Sequence, residues 1–115
     1  MVWYKYLYAD ESIIRKKEKI KWKICHNAGQ LNMYVITLSQ SRNNLLEIIS
    51  TLELMQKAYP RERLFVVGLA KGYDNACELA CRIILEVYEA TGSFDVKAYL
   101  RARQSAENGQ VSLCP

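Results

Sequence analysis

The chain has 115 residues, half of them hydrophobic and 24% charged, with a net charge of +4 at pH 7. That length suits one core rather than two, and that balance excludes an intrinsically disordered chain. Its apolar runs fall far short of the roughly 20 residues that span a bilayer, and the opening MVWYKYLYADES has no continuous apolar stretch of the kind a secretory leader carries; a cytoplasmic protein with no membrane partner is expected.

In residues 2–9, Tyr4, Tyr6 and Tyr8 alternate with Trp3, Lys5 and Leu7. A strand fits this pattern, but an irregular or helical lead-in whose aromatics cover the core is the preferred reading. Residues 12–26 predict a helix with a narrow apolar seam of Ile13, Ile20 and Ile24, stopped by Asn27-Ala28-Gly29. MYVITL, residues 33–38, is a β-branched and aromatic run and predicts a buried strand. In residues 45–59, Leu45, Ile48, Ile49, Leu52, Met55 and Tyr59 share a face at 3.6-residue periodicity, which predicts an amphipathic helix. Asn44 and Glu47 have the spacing of a capping box, although Asn43 could equally be the cap, and Pro60 ends the segment.

LFVVGLA, residues 64–70, predicts a second buried strand, followed by a helix over about 74–90 closed by Gly92 and a shorter one in SFDVKAYLRAR. The order α-β-α-β-α-α indicates an α/β fold with a small parallel sheet of two strands, residues 2–9 being a candidate third, and a right-handed crossover. One domain is expected over residues 1–107, with 108–115 a frayed tail. On the 75–90 helix, Ala76, Leu79, Ala80, Ile83 and Val87 form the core stripe. Cys77, Cys81, Ile84, Leu85 and Tyr88 carry the apolar surface further round. A helix this apolar, beside a sheet with open edges, predicts a homodimer.

Cys25-His26 and the Cys77/Cys81 pair are the only grouping with metal-ligand chemistry, but the C-x₂-C knuckle is missing. No metal is expected, and Cys77 and Cys81 are read as reduced, buried hydrophobes. His26, the single histidine, has no accompanying hydrolase signature and is expected to serve the end of its helix. No catalytic residue and no cofactor can be assigned.

The basic excess is local. Between Glu11 and His26, Arg15, Lys16, Lys17, Lys19, Lys21 and Lys23 face only Glu11 and Glu18, which accounts for the whole net charge. Arg15, Lys19, Lys23 and His26 share one side, with Lys16 beside them and Trp22 at the edge. This arrangement offers a secondary reading, a non-enzymatic interaction protein that meets nucleic acid through the basic helix 12–26 or another protein through the apolar helix 75–90.

The preferred candidate site is the turn GLAKGYDNA. Loops at the carboxyl ends of parallel strands meet helix N-termini, where unpaired N–H groups favour anions. Two such loops are expected to converge: Ser39, Ser41, Arg42 and Asn43 after the first strand, and Gly68, Lys71, Gly72, Tyr73 and Asp74 after the second. A small anionic or phosphate-bearing ligand is the expected partner, although neither a Walker A loop nor G-x-G-x-x-G is present. The segments YVITLSQSRNNLLEII, LFVVGLAKGYDNACEL and EVYEATGSFDVKAYL together resemble a family of small α/β proteins of Firmicutes with no established activity, over nearly the whole chain. That resemblance implies no site residue.

Overall fold

The computed structural model describes residues 1–41, 45–106 and 112–113. The chain runs β1 (Val2–Ala9), a 3-10 turn (Ile14–Lys16), α1 (Lys17–Cys25), β2 (Met33–Leu38), β3 (Leu46–Ser50), α2 (Thr51–Leu54), a 3-10 turn (Arg61–Arg63), β4 (Phe65–Lys71), α3 (Tyr73–Thr91), α4 (Val96–Ala106) and β5 (Ser112–Leu113). The strands form one mixed sheet in the order β3-β2-β4-β1-β5. Only β1 and β4 are parallel; β2 is antiparallel to both β3 and β4, and β5 is antiparallel to β1.

The two-stranded parallel sheet expected from the sequence is therefore corrected. Residues 33–38 and 64–70 do pair, but in opposite directions, so a right-handed crossover between them does not arise. Residues 2–9 are a full strand on the open side of β4 rather than an irregular lead-in. Residues 45–59 are also corrected, from one helix to an edge strand and a single helical turn. The Ser50 hydroxyl accepts a hydrogen bond from the Leu52 N–H and starts α2, so the chain changes structure in the middle of the expected helix. Glu47, expected in a capping box, instead accepts from the Ser39 hydroxyl at 3.0 Å across the β2–β3 hairpin. Arg42, Asn43 and Asn44 lie outside the described residues, as does most of the tail.

Both faces of the sheet are covered. On one, Ile20 and Ile24 of α1 and Leu54 of α2 pack with Trp3, Leu7, Val35, Val66 and Leu69. On the other, α3 and α4 bring Ala76, Leu79, Ile83, Val87, Val96 and Leu100 against Tyr4, Ile36 and Val67. This two-sided cover explains the unbroken apolar run of the central strand β4. The α3 stripe is buried as its spacing predicts, and Gly92 closes the helix in the left-handed conformation at φ 72°. Gly68 lies where the ladders on both sides of β4 slip register; a Cβ there would stand 3.4 Å from Ile36 and Leu79. The Gln104 amide ties α4 to β1: its Oε1 accepts from the Lys5 N–H at 2.7 Å and its Nε2 donates to the Trp3 carbonyl at 3.2 Å.

Candidate functional site

Parallel pairing of β1 and β4 delivers two carboxyl-terminal ends to the same edge of the sheet. The loop after β1 begins with Asp10, and the turn after β4 is Lys71-Gly72, leading into α3. Asp10 joins them. Its Oδ2 accepts from the Lys71 N–H at 2.6 Å, while its Oδ1 accepts from the Ser12 N–H at 2.8 Å and the Ser12 hydroxyl at 2.5 Å. Burial opposes ionisation of this carboxyl, but the hydrogen bonds from Ser12 and Lys71 outweigh it, with help from the Arg82 charge, and its pKa lies below the ordinary value. Gly72 turns the chain at φ 87°, and its N–H donates to the Asn32 carbonyl at 2.7 Å. No side chain caps α3; Asp74 stands in its first turn, and the Asn75 amide donates back to the Lys71 carbonyl at 2.9 Å.

The expected site is thus only partly assembled. Lys71, Gly72, Tyr73 and Asp74 line one open hollow of about 630 Å³ together with Ser12, Asn32 and Asn75. Ser39 and Ser41 do not join them. The ladder pairs Met33 with Lys71 and Thr37 with Val66, so the end of β2 lies beside the start of β4, at the opposite end of the sheet. Ser39 is buried there, its hydroxyl bound to Glu47 and accepting from the Ser41 N–H. Gly68 serves packing within β4. The expected convergence fails because it assumed parallel strands. Arg42 and Asn43 cannot be placed, being outside the described residues.

A different second wall takes the place of the 39–43 loop. Ser12 and Lys71 also line an adjoining cleft of about 400 Å³, whose other bank is Lys16, Lys19 and Lys23, over a floor that includes Ile20 and Met33. Among the described residues that line it there is no carboxylate. The hollow on the far side of Ser12 and Asn75 has the opposite balance, with Asp10, Glu11 and Glu78 against Arg82. The two hollows therefore differ in charge, basic on the α1 side and mainly acidic on the other. The sequence showed the lysines of α1 and the β4–α3 turn as separate features; their juxtaposition depends on the pairing of β1 with β4.

At the outer edge of α1, Trp22 is 59% exposed and stacks on His26 with ring centroids 4.0 Å apart. His26 Nδ1 donates to the Trp22 carbonyl at 2.7 Å, so the histidine does serve its helix end. Cys77 and Cys81 are free thiols, but Cys77 is only half-buried and Cys81 is exposed, which corrects the expectation that both are buried. Cys25 is disulfide-bonded. Among the described residues no cluster of three or more His, Cys, Asp or Glu side chains could hold a metal ion, and no helix is long and apolar enough to cross a membrane. Comparison with protein-family models, curated proteins and solved structures finds no match.

Proposed function

We propose that this protein binds a phosphate-bearing anion in the cleft between α1 and the β4–α3 turn. The observation that carries the reading is the gathering of Lys16, Lys19 and Lys23 with Lys71, more than forty residues away in sequence, around one cleft whose described lining has no acid. The first turn of α3 reinforces them, because its leading N–H groups have no intrahelical acceptor and carry partial positive charge. Asp74 offsets part of that field. The apolar floor excludes water from one side of the ligand and strengthens the lysine contacts.

Titration calorimetry with inorganic pyrophosphate tests this. Exposed lysines each contribute modestly, so Lys71→Ala should weaken binding several-fold, and Lys19→Glu combined with Lys23→Glu by more than about tenfold. Ser41→Ala, at the other end of the sheet, should have no effect. Absence of binding, or variants at Lys19, Lys23 and Lys71 that bind as the wild type does, would contradict the proposal.

Self-association through α3 is a second, compatible reading. It is favoured by Leu85, 56% exposed, and by Tyr88, which is 45% exposed and stacks on Phe94 at 4.6 Å. A cytoplasmic setting remains a proposal: the free thiols favour it, and the disulfide at Cys25 weighs against it.

A further inference from the structure

Resting on that reading of the cleft, we infer that its phosphate-bearing ligand is a single-stranded nucleic acid, with phosphates along the lysines and bases on the exposed rings of Trp22 and Tyr73. The lysines run from Lys16, at the start of α1, to Lys23 within it, about 10 Å at 1.5 Å per residue, which is more than a single phosphate needs. Trp22 is three residues from Lys19 and four from His26, the spacings that set side chains next to each other on a helix. Tyr73, 56% exposed, lies beyond Lys71 on the other bank, where it lines the adjoining hollow and meets Tyr34 edge to face at 5.7 Å.

Lysines flanked by open aromatic faces are the pairing that single strands require: the cations follow the backbone, and each ring accepts any base by its π-face. His26 holds one face of the indole and restrains it, so less side-chain entropy is lost when a base stacks on the other. The exposed Leu85, Tyr88 and Phe94 make a useful contrast. The hollow that Leu85 lines holds Glu78, Glu86 and Glu89 against the single cation Arg82, so a row of lysines is not available there. A duplex would offer its phosphates but keep its bases stacked away from Trp22 and Tyr73.

The test is fluorescence anisotropy with a labelled twelve-nucleotide oligouridylate, its duplex counterpart and the full chain. The single strand should bind more tightly than the duplex, with a slope of log affinity against log salt of about −3 for four lysine contacts. Trp22→Ala should lower affinity for the single strand about tenfold and Trp22→Tyr should restore most of it, while pyrophosphate binding by Trp22→Ala stays at the wild-type level. Since Trp3 is fully buried, quenching of tryptophan emission on binding reports Trp22. Equal affinity for duplex and single strand, or a Trp22→Ala, Tyr73→Ala double variant that binds the single strand as the wild type does, overturns the inference. So does pyrophosphate binding without oligonucleotide binding, and that result leaves the anion cleft standing. Failure of both ligands removes both.

Discussion

Asp10 shows how one carboxylate can set the geometry of two loops at one edge of a sheet. It sits at the end of β1, 7% exposed, and gives both oxygens to N–H and hydroxyl donors of the two loops. Removing it leaves the Lys71 N–H without this partner at a part-buried position, so Asp10→Ala should destabilise the fold by about 1 kcal/mol at pH 7, measured by urea unfolding. The sign of the pH dependence follows from its lowered pKa. Stabilisation by the ionised carboxyl is complete above the unfolded value of about 4 and is lost as pH falls through the folded value below it. The gap between wild type and Asp10→Ala should therefore narrow below about pH 4; a gap that stays constant would contradict the hydrogen-bonding role. An Asp followed two residues later by Ser is a local turn signal in the sequence. Its long-range bond to Lys71 was not legible, because that depends on which strands pair.

At the scale of elements, α3 and β3 mark what periodicity can and cannot decide. Every residue predicted on the inner stripe of α3 is buried, since a nineteen-residue helix repeats its pattern enough times to exclude other structures. LLEIIST carries apolar residues at positions that suit either a strand or a helix. Here tertiary pairing decided: β2 had an open edge, and β3 pairs along it from Leu46 to Ser50. Covering that edge, and placing β1 beside β4, removes the argument for a partner that rested on an incomplete sheet. The argument from the outer side of α3 survives. Leu85→Glu should shift light-scattering mass from dimer to monomer while leaving the far-ultraviolet circular dichroism unchanged, because Leu85 is already half exposed in the single chain. A wild-type monomer from micromolar to millimolar concentration would end the dimer proposal.

For the whole molecule, the position of the cleft follows from topology more than from any motif. The α/β class and the position of the β4–α3 turn were legible, since Lys71-Gly72 does end a strand and open a helix; the parallel pair at whose carboxyl edge it lies is β1 with β4, not the expected residues 33–38 with 64–70. The opposing wall expected from the sequence, Ser39, Ser41 and Arg42, requires β2 to run parallel to β4. Its reversal carries Ser39 and Ser41 to the far end of the sheet and leaves the α1 lysines facing Lys71. Local sequence specifies each bank of the cleft, whereas non-local strand order brings the banks together. Amide chemical shifts followed by NMR during a pyrophosphate titration test this most directly. The account predicts that the amides of Lys71 and Gly72 and those of residues 16–23 move together with a single Kd, while those of Ser39 and Ser41 stay still. Shifts confined to one bank, different Kd values for the two, or movement centred on Ser39 and Ser41 would contradict it.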